Sequence, residues 1–364
     1  MFKYLNIIIL ISGISLAQAI PIPNIEYSPK QYVCYKAASE QIVVDGKLNE
    51  TSWEKAEWTD DFIDIEGSVK PNPRFKTKVK MLWENKYFYI AAELTEPHIW
   101  ANLLNRDDII FFDNDFEVFI DPDGDTHGYV EFEMNALNTV WDLLLIQPYR
   151  DIDNAALHGW DIKNLESGVE ILGTLNNSSD IDDKWTVEIA FPWKGFDEIT
   201  NMKTPPINGD QWRVNFSRVE WHTEVIDGKY SKITNPETGK SLPEDNWVWS
   251  PQGVVNMHYP EMWGLVQFST TEVGDSVVKF QKNIEEDIKW YLRNVYYLQK
   301  EYFAENHKYA DDIKKLGIKN MDIKGYKFPV VIETTSSYFE AKLYSDSGKI
   351  YYKISANGLV QKIE

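Results

Sequence analysis

Asp115-Phe116-Glu117-Val118-Phe119-Ile120-Asp121, a turn at Pro122-Asp123-Gly124-Asp125, and then Gly128-Tyr129-Val130-Glu131-Phe132-Glu133-Met134-Asn135-Ala136 decide the fold class. Apolar and polar residues alternate in both runs, the period of a strand with two unlike faces. Phe116, Val118 and Ile120 share one face of the first run. Val130, Phe132, Met134 and Ala136 share one face of the second. Glu117 lies on the opposite face of the first run, and Tyr129, Glu131, Glu133 and Asn135 on that of the second.

Outward from this pair the same grammar repeats. Phe75, Thr77, Val79, Met81 and Trp83 alternate with Lys76, Lys78 and Lys80, predicting a half-buried strand with a lysine-bearing face. Glu84-Asn85-Lys86 turns the chain and residues 87–94 return, completing a hairpin. Residues 140–147, 168–175, 184–191, 211–221 and 262–268 read as further strands, and Pro192-Trp193-Lys194-Gly195-Phe196 interrupts them. Upstream, Ile42-Val43-Val44 leads into an Asp45-Gly46 turn, and Asn49-Glu50-Thr51-Ser52-Trp53 has the pattern of a capped helical turn. Many short strands joined by turn signals, with no long helix among them, predict a mainly β, antiparallel β-sandwich.

The pattern changes near Val273. Ile284, Ile288, Tyr291, Leu292, Val295, Leu298 and Tyr302 recur at helical spacing. Residues 328–334, 338–344 and 349–355 then read as strands. A small α+β domain is expected there, one long amphipathic helix plus a three-stranded antiparallel sheet. At the other end, Lys3 precedes an almost wholly apolar run at 5–16, and Ala17-Gln18-Ala19 has a small-x-small cleavage pattern. That combination predicts a secretory signal peptide, because the run is short for a membrane span. No Cys follows the cleavage site to carry a lipid. The mature chain is therefore expected to have no membrane span and to be secreted, into a periplasm or to the cell surface. The divisions are 1–19 signal peptide, 20–39 leader, 40–272 sandwich and 273–364 C-terminal domain.

The net charge of -20 becomes -21 when Lys3 is removed. Such a field repels phosphate backbones, so nucleic acid is excluded as a partner, and a strongly acidic polymer is disfavoured. A neutral sugar or a cation is not. The 14 Trp and 20 Tyr suit both a β core and the stacking of sugar rings. The single Cys34 has no internal partner for a disulfide.

Several segments, in this order, resemble carbohydrate-binding module family 9 and its relatives in the DOMON-like superfamily. They are Ile42-Val43-Val44-Asp45-Gly46-Lys47-Leu48-Asn49-Glu50-Thr51-Ser52-Trp53, Val79-Lys80-Met81-Leu82-Trp83 with Tyr87-Phe88-Tyr89-Ile90-Ala91, and Asp113-Asn114-Asp115-Phe116-Glu117-Val118-Phe119-Ile120-Asp121. Trp185-Thr186-Val187-Glu188-Ile189-Ala190, Trp212-Arg213-Val214-Asn215-Phe216, Trp249-Ser250-Pro251 and Trp263-Gly264 complete the set. The resemblance covers roughly residues 40–270. It implies a jelly-roll-like sandwich that binds oligosaccharide or polysaccharide without cleaving it, often with structural calcium and often beside polysaccharide-degrading enzymes. The C-terminal segment resembles the globular part of type IV pilin-like subunits in Tyr309-Ala310-Asp311-Asp312-Ile313-Lys314-Lys315-Leu316-Gly317 and Ala356-Asn357-Gly358. The hydrophobic assembly helix of a pilin is absent, so a docking role toward a protein partner is the corresponding expectation.

The candidate binding residues follow from both lines of reasoning. A sheet face carrying Glu117, Glu131, Glu133, Asn135, Arg213 and Asn215 offers donors and acceptors to vicinal hydroxyls, although the same alternation also describes a solvated face. The resemblance implies that Glu117 meets the sugar and that two Trp rings enclose it. Phe111 stands where the first of those rings is expected, and Met257 is near the second. Glu133 replaces an arginine of the family pattern. The insert from Trp221 to Tyr259 adds Trp221, Trp249 and His258 as rim candidates. Asp121, Asp123 and Asp125 alternate around a Gly, which suits either calcium or an ordinary polar turn.

No organic cofactor is expected. Some superfamily relatives hold haem b, which keeps Met257 and His258 as an alternative pair. On an extended strand, however, neighbours point to opposite faces. No Ser-His-Asp spacing, zinc motif or Gly-rich phosphate loop occurs, and no carboxylate pair stands out as catalytic among 57 acidic residues.

Overall fold

The computed structural model describes residues 20–38 and 42–364, and the expected signal peptide lies outside the described residues. Two compact units are present. One holds Ile22–Glu286 with Asn357–Val360, and the other includes Asp287–Ala356 and Gln361–Glu364. Among the described residues, no helix is long and apolar enough to cross a membrane.

The larger unit is a β-sandwich. Its strands are β1 (Gln31–Lys36), β2 (Ile63–Asp64), β3 (Thr77–Trp83), β4 (Tyr87–Thr95), β5 (Asp115–Asp121), β6 (Tyr129–Asn135), β7 (Val140–Leu145), β8 (Ala156–Leu157), β9 (Glu166–Leu172), β10 (Lys184–Pro192), β11 (Gln211–Glu220), β12 (Thr223–Ile226), β13 (Lys229–Lys232), β14 (Asp245–Val248) and β15 (Gly264–Glu272). A continuous path runs β8-β7-β6-β5-β11-β15-β1-β3-β4-β10-β9, with β14 beside β11 and β2 beside β14. β12 and β13 form a separate hairpin.

The path folds over on itself at β1. This strand runs parallel to β15 through Gln31, Tyr32, Val33 and Cys34, then parallel to β3 through Tyr35 and Lys36. One apolar core therefore collects Val79, Phe88 and Ile90 from one side and Phe116, Phe132 and Phe216 from the other. β1 falls in the stretch read from sequence as a leader. Of its six residues only Cys34 is fully buried, in the core, so the strand carries little apolar alternation to read.

The faces of β5 and β6 divide as the alternation predicts, but the polar face is not solvated. Phe119, Tyr129, Trp141, Leu143, Met257 and Trp263 build a second apolar cluster on that side. Glu117, Glu131, Glu133, Asn135, Arg213 and Asn215 are all buried. The lysine-bearing face of β3 is also more covered than alternation suggests. The Lys80 ammonium is buried and donates to the Trp53 carbonyl.

The motif around Asp45 has a physical explanation. Glu188, on β10, accepts from Asp45 N at 3.0 Å, Gly46 N at 2.8 Å and Trp53 Nε1 at 2.7 Å. One buried carboxylate thus fixes the turn and the short helix α1 (Thr51–Lys55) that follows it. Gly46 has φ +87°, and a Cβ there would sit 2.4 Å from Glu170 N, so the turn demands glycine.

In the smaller unit, α2 (Ile284–Asn306) buries Ile288, Tyr291, Leu292 and Val295 along one stripe. Gln299 on the same stripe exchanges two 2.8 Å hydrogen bonds with the Ala310 backbone, which satisfies its buried amide. The sheet has four strands rather than three, namely β16 (Tyr326–Thr334), β17 (Phe339–Ser345), β18 (Tyr351–Ser355) and β19 (Val360–Ile363). The fourth is four residues long and carries two exposed residues, Gln361 and Lys362, too little alternation to register.

Gly264, at the start of β15, faces the buried Trp249 ring, whose nearest carbon would lie 2.2 Å from an added Cβ. Gly264→Ala is expected to lower stability by about 1–3 kcal/mol, the usual cost of overpacking, as measured by urea unfolding. An unchanged midpoint would mean that the ring has room to retreat.

Candidate functional site

The buried polar face opens into one cavity of about 220 Å³. Its floor comes from the hairpin that sets the fold. Glu117 on β5 pairs across the strand with Glu133 on β6, and Phe119 with Glu131. These side chains point to one side because directly opposed residues of an antiparallel pair share a face. Trp141, paired with Glu133 from β7, stands at one edge of the floor. Phe111, Tyr149, Met257 and His258 enter from loops, with Glu244 and Asn246 beside them.

Phe111 is held from both sides of its peptide. Its N–H donates to Glu133 Oε2 at 3.1 Å, and its carbonyl accepts from Trp221 Nε1 at 2.8 Å. The Lys232 ammonium stands 3.3 Å above the Trp221 ring, and burial pushes the Lys232 pKa down to about 8. Trp221 therefore supports the wall rather than forming it.

Two residues expected to diverge come together. Residues 256–259 are not a strand, and Tyr259 N bonds back to the Met257 carbonyl at 2.8 Å. The strand rule does not apply to this bend, so Met257 and His258 both line the cavity. His258 Nδ1 meets the Tyr129 hydroxyl at 3.0 Å, and the Tyr149 ring lies edge-on to the imidazole at 4.5 Å. Burial, with Arg150 nearby, drives the His258 pKa down to about 3, so the ring is neutral at physiological pH.

The carboxyls are driven the other way. Burial pushes the Glu117 pKa up to about 7. Burial, followed by repulsion from neighbouring carboxylates, raises Asp115, Glu131 and Glu133 well above the ordinary range. None of the cavity-lining residues is Lys or Arg. The site is thus a set of carboxyl groups lined by aromatic rings, able to accept from hydroxyls and, where they keep their protons, to donate to them.

The structure brings Phe111, Glu117, Glu131, Glu133, Met257 and His258 to this cavity. It places the other candidates elsewhere. Asn135 bonds to Asp113 Oδ2 and the Leu103 carbonyl, both at 3.0 Å. Arg213 donates to the Trp263 carbonyl at 2.7 Å and to Tyr27 Oη at 2.5 Å, and it pairs with Glu286. Asn215 and Ser250 bond reciprocally, at 2.8 and 3.0 Å. Trp249 packs in the main core beside Phe216. These groups are spent on buried-polar satisfaction and packing, which alternation cannot distinguish from ligand contact.

Trp141, Tyr149, Glu244 and Asp115 were not singled out by the sequence. Trp141 was findable from its register beside Glu133. Tyr149 and Glu244 come from irregular loops that carry no periodic signal. A groove of about 700 Å³ lies elsewhere on the sandwich, but its rings Tyr87 and Trp193 are buried and packed against Tyr89 and Phe88.

In the Asp121-Asp125 turn, one carboxylate oxygen from each of Asp121, Asp123 and Asp125 lies within 4.8 Å of the others. Asp121 also accepts from Gly124 N and Thr126 N, both at 2.9 Å, and Asp125 from His127 N at 2.8 Å. The oxygen donor set and spacing fit calcium, and the same bonds shape the turn.

Residues 44–211 match the model of the family described as carbohydrate family 9 binding domain-like. No curated protein matches the chain. A carbohydrate binding module family 9 from Caldicellulosiruptor kristjanssonii, solved with cellotriose, is 16% identical, covers 70% of this chain and all of its own, and has a TM-score of 0.42. The same module with glucose gives 16% identity, 68% and 100% coverage and a TM-score of 0.42. A candidate carbohydrate-binding protein from Bacteroides uniformis gives 13%, 66%, 100% and 0.48.

The raised carboxyls have a consequence for stability. Such a group holds its proton more tightly in the folded chain than in the unfolded one. For Glu117 the resulting stabilisation is complete below 4.5 and is lost as pH rises through about 7. In chelator-treated protein, Glu133→Gln is expected to make the fall in thermal midpoint across that window shallower. Equal slopes in both proteins would mean that Glu133 holds its proton no more tightly in the folded chain than in the unfolded one.

Proposed function

We propose that the carbohydrate family 9 binding domain-like domain of this chain takes a sugar ring into the roofed cavity, and that the protein is an exported, non-catalytic carbohydrate-binding protein. The observation that carries this reading is the convergence of Glu117, Glu131 and Glu133 with the rings of Phe111, Trp141 and Tyr149 around a space of about 220 Å³. Carboxylates accept hydrogen bonds from sugar hydroxyls, and ring faces pack on the apolar C–H surface of a pyranose. A cavity of this size suits one or two sugar units at a chain end, and it is small beside the roughly 300–1,000 Å³ of sites for larger ligands. That disfavours haem.

The arrangement of acids supports binding without cleavage. Glycosidases set two carboxyls about 5–9.5 Å apart on either side of the bond they break. Here Glu117 and Glu133 are cross-strand neighbours on one floor, on the same side of anything bound over them. Export through cleavage near Ala19, a calcium ion in the Asp121-Asp125 turn and a role beside polysaccharide-degrading enzymes belong to the same proposal. The signal-peptide pattern and the turn's donor set support them.

Calorimetric titration with neutral gluco- and xylo-oligosaccharides tests the reading. The parent chain is expected to bind at least one of them. Glu117→Ala is expected to bind about 10–100-fold more weakly, the cost of losing a hydrogen bond to a charged acceptor. Folded parent protein that binds no glycan on a broad array would end the carbohydrate reading. Glycan binding unaffected by Glu117→Ala would move the site away from this cavity.

A further inference from the structure

The acidic floor of the cavity extends one residue deeper than the cavity lining. Asp115 stands two residues before Glu117 on β5 and points to the same side, with Asn135 opposite it on β6. One carboxylate oxygen from each of Asp115, Glu117 and Glu133 lies within 4.8 Å of the other two, and all three residues are buried. Among the described residues, none of the three forms an ion pair. The nearby arginine Arg218 is committed to Glu96 at 2.7 Å and Glu220 at 2.8 Å. Buried charges without a counter-ion are among the most expensive features a fold can hold.

A second observation concerns a single atom. Asp115 Oδ1 accepts from Val219 N at 3.1 Å. Asp115 Oδ2 is fully enclosed and has no hydrogen-bond partner. Buried carboxylate oxygens are normally satisfied, so an orphan beside two further carboxylates marks a missing positive group.

We propose that Asp115, Glu117 and Glu133 bind a divalent, oxygen-seeking cation of the calcium class at the cavity floor. Calcium holds its oxygens at about 2.4 Å, so ligands in one shell lie up to about 4.8 Å apart, and the three carboxylate oxygens here fall within that limit. The donor set contains no sulfur or imidazole nitrogen, which argues against zinc and copper. Water, or the hydroxyls of a molecule in the cavity, completes the shell. This site is separate from the Asp121-Asp125 turn at the far end of β5. It answers the unpaired Asp115 oxygen and the convergence of three buried carboxyls upon it.

Equilibrium dialysis of the full chain against about 1 mM calcium, with bound calcium counted per chain, tests the proposal. Asp115→Asn and Glu133→Gln keep the side-chain size and remove repulsion, so both are expected to fold, as checked by circular dichroism. Each is expected to lose one bound calcium relative to the parent, and the calcium-induced rise in thermal midpoint is expected to shrink. A parent chain that takes no calcium would falsify the proposal and leave the cluster held by shared protons. Variants that both keep the parent's count would overturn it and assign the ion to the turn. Sugar binding is measured separately, so failure of the carbohydrate reading leaves this count unaffected.

Discussion

A sheet strand covered on both faces must satisfy everything it buries, and this constraint governs the region around β5, β6 and β11. Their inner faces present Phe116, Phe132 and Phe216 to the main core, where packing alone suffices. Their outer faces present Glu117, Glu133 and Asn215 beneath a second cluster that includes Phe119 and Trp263. Each polar group there must find a partner, give up its charge or stay available to a ligand. Asn135, Arg213 and Asn215 took the first course, and their hydrogen bonds hold loops in place. The four acids of the floor did so only in part, Glu133 through Phe111 N and Asp115 through Val219 N, and their proton affinities rose. The site is the remainder left when the other polar groups on that face had been paired.

The opposite side of the sandwich resolves the same problem completely. Glu188 is also a buried acid, and burial pushes its pKa up to about 7. It nevertheless accepts three hydrogen bonds, two from a turn and one from a Trp. The contrast between Glu188 and Asp115 separates structure from binding more clearly than burial does, since both are inaccessible. What differs is that the fold supplies donors to both oxygens of Glu188 and to only one of Asp115.

The strand pattern was legible because alternation records the inner face directly. The main core residues of β3, β4, β5, β6, β10 and β11 follow from it. Glu117, Glu131 and Glu133 were legible as a face, but not as a cavity floor, because the cover over them comes from residues far away in sequence. Trp263 and Met257 belong to that cover and carry no periodic signal. Trp249 and Trp221 illustrate the converse error. A ring in a loop between strands looks like a binding wall, yet one fills the core and the other braces Phe111 through a single N–H. β1 was missed because it is six residues long and buries only Cys34, too little alternation to mark a strand.

That enclosure gives Cys34 a particular chemical standing. Its thiol lies on the one strand shared by both sheets, fully buried, and burial raises its pKa well above normal. A thiol in that state is not a nucleophile and cannot meet an oxidant or another chain. Opening the seam between the sheets changes both conditions together. The cysteine is therefore silent in the intact sandwich and reactive once β1 is displaced, so covalent capture of Cys34 by a thiol reagent keeps a lasting record of how often the molecule comes apart along its central seam.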